Sequence, residues 1–164
     1  MTTEYRLIHF NCARPLGAFN MENEFVRVFM AILPRIFSDA DTFEGLHWHT
    51  HGIRRPNGDW YGMQHAFPYP DGVAAPDVCT MAGWKSVETL REFSYGGHTH
   101  PAGMRRLANQ LDRTDGASFV LWWAPRGEHF TMQDGWDKLQ SLRKNGPTKD
   151  AFSLDHLMAK PVAA

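Results

Sequence analysis

Residues 5–12 read Tyr-Arg-Leu-Ile-His-Phe-Asn-Cys, and residues 21–38 read Met-Glu-Asn-Glu-Phe-Val-Arg-Val-Phe-Met-Ala-Ile-Leu-Pro-Arg-Ile-Phe-Ser. The first stretch alternates as a strand does, with Tyr5, Leu7, His9 and Asn11 on one face and Ile8 and Phe10 on the other. The second puts Phe25, Val28, Phe29, Ile32, Leu33, Ile36 and Phe37 at the spacing of one buried helical stripe. Pro34 inside that stripe predicts a kink or a restart. A strand followed by a helix that must cover it is the start of a layered α/β arrangement.

Working outward, residues 45–55 read as a second strand closed by the turn Arg55-Pro-Asn-Gly-Asp59, with 60–66 as its hairpin partner. The Pro- and Gly-rich stretch from Phe67 to Pro76 is too irregular for an element and long enough for a lid. Val78 to Trp84 is a third strand, and Ser86 is placed to cap a helix over 87–95 that Gly96-Gly97 ends. A short helix over 104–111 precedes a buried strand, Ser118 to Ala124. Thr131 and Asp134 form a capping-box pattern opening a helix to about Lys144. The order β-α-β-β-α-β, with additions, is the ferredoxin-like split arrangement. It predicts a single α+β domain over 1–164, an antiparallel sheet with helices on one face.

Composition narrows the function. A chain of 164 residues with 43% hydrophobic and 21% charged residues suits one globular core. A formal net charge of −1 without basic runs argues against a nucleic-acid partner. No apolar stretch approaches the ~20 residues of a membrane span, and the N-terminus has no signal-like pattern. A cytoplasmic location is the expectation. Cys12 and Cys79 form no CxxC pair and read as buried thiols. Six Trp and eleven Phe exceed what packing needs, which points to an aromatic-lined pocket for a small molecule.

The polar candidates are histidines first. His47, His49 and His51 alternate with Trp48 and Thr50, so on a regular strand their rings share a face. At about 3.3 Å per residue the outer two are about 13 Å apart, so one ion takes two neighbours at most and needs a third ligand such as His65, His98 or His100. The alternatives are a pocket role and a plain structural one. His98, in a glycine-rich break between helices, suits proton transfer or ligation, and Asn11 is an amide on an inward face that needs a partner or a ligand. Trp122-Trp123 directs one ring to each side of its strand, so the second sheet face also needs cover, which a partner subunit could supply.

The pattern Trp84-x-Ser86-x-x-x-Leu90-x-x-Phe93-x-Tyr95-x-x-His98 is followed by Leu121-Trp-Trp-Ala-Pro125-x-Gly127 and by Gly146-Pro-Thr148-x-x-Ala151-Phe152. With Asn11 and Ala13, it resembles a bacterial family of unknown function, domain-of-unknown-function family 3291. That family is similar to the dimeric α+β barrel group, which includes antibiotic-biosynthesis monooxygenases and haem-degrading monooxygenases. The resemblance implies a homodimer of ferredoxin-like subunits. It also implies catalytic roles for Asn11, Trp84 and His98, although the spacing from Trp84 to His98 is longer than the usual one.

The expected activity is therefore a monooxygenase-like enzyme of small-molecule, secondary-metabolic type acting on an aromatic or polyketide-like substrate. Asn11, His49, Trp84 and His98 would do the chemistry; His9, His47, His51, Trp60, His65, Tyr95 and Trp122 would line the site. Either no cofactor or haem is implied, with a divalent metal on His47, His49 and His98 as the further alternative. A non-redox cyclase or isomerase using the same pocket, and a haem- or metal-binding protein, are the competing readings.

Overall fold

The alternation at the N-terminus forms an inner strand because both of its faces are covered: Leu7, Ile8 and Phe10 are all fully buried. The computed structural model describes residues 4–67, 75–96, 102, 105 and 107–162. Strands β1 (Tyr5–Ala13), β2 (Leu46–Arg54), β3 (Trp60–Gly62), β4 (Val78–Trp84) and β5 (Phe119–Pro125) make one sheet ordered β3-β2-β4-β1-β5. Every pairing is antiparallel. Without the short edge strand β3, this is the ferredoxin-like order, with β4 lying between β1 and β2.

Helix α1 spans Glu24–Thr42, capped by Asn23, whose side chain accepts from the Phe25 N–H. It runs unbroken through Pro34, which sits on the exposed side, and continues a turn past residue 38 because Ala40 extends the buried stripe. Helix α2 (Val87–Tyr95) carries the Ser86 capping box, closed by Thr89. Helix α3 (Met132–Asn145) carries the Thr131–Asp134 box. Of the helix expected over 104–111, the last turn is a 3-10 helix at Ala108–Gln110.

The packing divides the helices between the two faces. Helices α1 and α2 supply Ile36, Ala40, Leu90 and Phe93 to the face bearing Leu7, Ala82, Trp84 and Leu121. Farther along, Phe25, Val26 and Leu33 meet Ile53 and Val78. Helix α3 lies on the opposite face, its Trp136 and Leu139 against Ile8, Phe10, Met81 and Trp122. The α+β class and the antiparallel order stand, whereas a one-sided arrangement describes α1 and α2 alone. The reason lies in β1 and β5. Ile8, Phe10, Val120 and Trp122 need removing from water as much as Leu7 and Leu121 do, and α3 covers them within the chain.

Candidate functional site

Strand register assembles a polar patch on the face under α1 and α2. Asn11 of β1 lies opposite Thr80 of β4, and Thr80 opposite His51 of β2. One step along, His9 lies opposite Ala82, and Ala82 opposite His49. His9, Asn11, Thr80, His49 and His51 are all half-buried. Two apolar clusters flank them: Leu7, Trp84 and Leu121 on one side, Ile53 and Val78 on the other.

The Thr80 hydroxyl donates to Asn11 Oδ1, which fixes the amide and leaves its Nδ2 without a hydrogen bond among the described residues. His9 meets the Phe119 ring edge-on at 5.8 Å. Phe37 of α1 stacks on His51 at 4.1 Å and on His49 at 5.6 Å, and Tyr61 of β3 closes on His51 at 4.6 Å. One helical turn beyond Phe37, Asp41 Oδ1 is 2.8 Å from His49 Nε2. Such a carboxylate holds an imidazole in one orientation. His51 Nδ1 is buried with no partner among the described residues. Burial, then the neighbouring His49 charge, hold the His51 pKa below the usual imidazole value, while Asp41 opposes them. A Cβ at Gly62 would run into the His51 carbonyl and ring, so the bare glycine is what admits that ring beside β3.

The patch takes four of the expected site residues: His9, Asn11, His49 and His51. The others lie elsewhere. His47 is the extra residue of a β-bulge between Leu46 and Trp48, exposed and off the row, so the three rings do not share a face. Burial, then Arg126 and Arg6, lower its pKa. Trp84 is 3% exposed and enclosed by Phe43 and Phe93, its indole N–H unpartnered among the described residues. It is a core residue. Trp122 is buried on the other face, edge-on to Phe130. Trp60 and His65 belong to a stack on that same face, where His65 lies on Phe67 and Phe67 on Trp136, each at 4.7 Å. There His65 Nε2 donates to the Gly52 carbonyl, and burial lowers the His65 pKa. Tyr95 is exposed at the end of α2.

His98, His100 and most of the Phe67–Pro76 stretch lie outside the described residues. Among the described residues no three His, Cys, Asp or Glu side chains are grouped to hold a metal ion. No helix there is long and apolar enough to cross a membrane. An open hollow of about 350 Å³ lies toward one end of the sheet, lined by Arg14, Phe19, Arg54, Arg55 and Asp77. It does not reach the His9–Asn11 patch.

Thr80, Phe37 and Asp41 are the site residues the sequence reading missed. Thr80 had a signal, as the one hydroxyl in Val-Cys-Thr-Met-Ala-Gly-Trp on the inward face. Asp41 had none, because the expected helix stopped at residue 38.

No curated protein matches the chain. Among solved structures, it is similar to a dimeric protein of unknown function and ferredoxin-like fold from Bacteroides fragilis. The identity is 11%, over 74% of this chain and 94% of that one, with a TM-score of 0.42. The sequence profile of a family described as a domain of unknown function (DUF3291) matches residues 6–164, and the chain belongs to that family.

Proposed function

We propose that the chain binds a small organic molecule with an acidic O–H or C–H group over the row His9–Asn11–Thr80–His51, and that the Asp41–His49 pair moves its proton. One observation carries this reading. Five polar side chains from three neighbouring strands meet on a sheet face that is otherwise apolar on both sides. Asn11 Nδ2 is the donor for a developing oxyanion, held in place by Thr80. His49 takes the proton, and Asp41 balances the charge that results. Phenols and 1,3-diketones are the matching substrate classes, since both ionise to oxygen-centred anions.

Proton removal opens three reactions: an isomerase returns the proton to another atom, a cyclase lets the anion attack within the molecule as water leaves, and an oxygenase lets an electron-rich anion meet oxygen directly. Oxygen uptake separates the last from the other two. Haem draws no support from the described residues: Trp84, one of the three positions that the family resemblance would give to a haem-degrading site, is closed inside the Phe43–Phe93 cluster. The molecule is further proposed to work as a homodimer, a reading that rests on the family resemblance; sedimentation as a strict monomer at micromolar concentration refutes it.

The test is hydrogen–deuterium exchange at the central carbon of acetylacetone, followed by NMR in heavy water. A panel of dihydric phenols in an oxygen electrode accompanies it. Wild type is expected to speed exchange, and His49→Gln and Asn11→Ala to lose about 10²-fold or more. No exchange above buffer, together with histidine ring signals unmoved by any probe, refutes the assignment.

A further inference from the structure

The two cysteines stand in register on neighbouring strands, Cys12 of β1 opposite Cys79 of β4. Both side chains lie on the α3 face, 4% and 0% exposed, and both are free thiols. Backbone hydrogen bonds decide what kind of pair they make. The Cys12 N–H donates to the Ser118 carbonyl, so the polar groups of Cys12 point at the β5 side and away from β4. Arg54 N–H donates to the Asp77 carbonyl. Two residues along, the partners are Gly52 and Cys79, so the polar groups of Cys79 point to β2 and away from β1. Cys12 and Cys79 are thus a non-hydrogen-bonded antiparallel pair. Cα atoms of such a pair are about 4.5 Å apart, within the ~4.4–6.8 Å that a disulfide spans.

We propose that Cys12 and Cys79 form a redox-modification site, a thiol pair that hydrogen peroxide converts to a cross-strand disulfide within one chain. A narrow crevice lined by Cys12, Arg14, Asp115, Ser118 and Arg143 gives access from the Cys12 side. The Arg143 guanidinium lines the same crevice as the Cys12 thiol, and its charge favours the thiolate. Cys12 is therefore the sulfur that reacts first. Its thiolate attacks peroxide, a sulfur–oxygen bond forms, the oxygen–oxygen bond breaks, and hydroxide leaves. The Cys79 thiol then attacks the sulfenic sulfur; the sulfur–sulfur bond forms as the sulfur–oxygen bond breaks, and water leaves. The balance is two thiols and one peroxide to one disulfide and two waters.

The charged groups around the pair are Arg143 of α3, Arg14, Asp115 and Asp77. Burial outweighs them, pushing Cys12 up to about 11 and raising Cys79 as well. Oxidation is accordingly slow at neutral pH and speeds up about tenfold per pH unit as the thiolate fraction rises.

The experiment exposes folded protein to hydrogen peroxide at two alkaline pH values, then quenches, unfolds, alkylates and weighs it. The expected product is a monomer lighter by two hydrogen atoms, closed to alkylation and reopened by dithiothreitol. In Cys79→Ser, dimedone is expected to trap a sulfenic acid at Cys12; in Cys12→Ser, Cys79 stays a thiol. Circular dichroism checks that both variants fold. Two alkylatable thiols after hours in peroxide, or disulfides only between chains, overturn the proposal.

Discussion

Gly135 sits inside α3, where glycine disfavours a helix by about 1 kcal/mol relative to alanine. On propensity alone, Gly135→Ala stabilises the protein. Packing gives the opposite sign. A Cβ at this position lies 3.0 Å from Phe10 Cβ, 2.6 Å from its Cγ and closer still to its Cδ2. Phe10 has nowhere to go: it is fully buried on an inner strand, with the Phe67 ring edge-on to it. Overpacking costs about 1–3 kcal/mol, and three atoms of an immobile ring put this case at the upper end. The balance is a loss of about 2 kcal/mol. For a chain of this size that lowers Tm by about 4–8 °C. Thermal and urea unfolding followed by circular dichroism read it directly. Phe10→Leu trims the ring that obstructs the methyl, so the double variant should recover about 1 kcal/mol against the sum of the singles. A Gly135→Ala protein as stable as wild type, or more so, would mean that α3 does not press on β1, and the cover of the second sheet face would have to be reassigned.

Other expectations follow from the same contacts. Trp84→Ala should cost about 3–5 kcal/mol yet leave acetylacetone exchange per folded molecule unchanged, because Trp84 packs against Phe43 and Phe93 and not in the patch. Asp112 is held down to about 2 by the Thr114 backbone N–H, then the Thr114 hydroxyl, then Arg14. Its contribution to stability is present above the ordinary value near 3.8 and disappears as pH falls through about 2. A carboxyl NMR titration should show this low midpoint, and Thr114→Ala should raise it. Asp77 is shifted the other way, raised by burial against the pull of Arg54 and Arg14. Its ionisation therefore opposes folding, so wild type should lose stability relative to Asp77→Asn as pH rises past the ordinary aspartate value. Parallel urea titrations of the two proteins measure the difference.

What the sequence made legible was whatever local periodicity controls. The alternation of β1, the stripe of α1, the Ser86 cap and the Thr131–Asp134 capping box formed where expected. Contacts between distant segments were not legible. The bulge that removes His47 from the histidine row exists only in the register of β2 against β4, and nothing in Leu-His-Trp-His-Thr-His announces it. Trp84 reads as a site residue until Phe43 and Phe93 arrive, one from beyond α1 and the other from α2. The Trp122-Trp123 pair did reveal that both sheet faces need cover. That the cover is α3 is a matter of tertiary packing.

The polar row itself can be weighed by energy. Asn11 and Thr80 bond each other between two apolar clusters. If their role is structural, removing both should destabilise the sheet by the worth of that bond, about 1 kcal/mol, and by whatever packing is lost. If the row is kept for a ligand, the outcome differs. A polar row held ready for a ligand is desolvated at a cost to the fold, so stability is commonly gained where such a functional group is removed. Asn11→Leu combined with Thr80→Val should therefore leave Tm level or higher while abolishing acetylacetone exchange. The single variant Thr80→Val, which strands the Asn11 carbonyl, should be the less stable of the two proteins. A double variant that melts well below both wild type and Thr80→Val would return the row to the core.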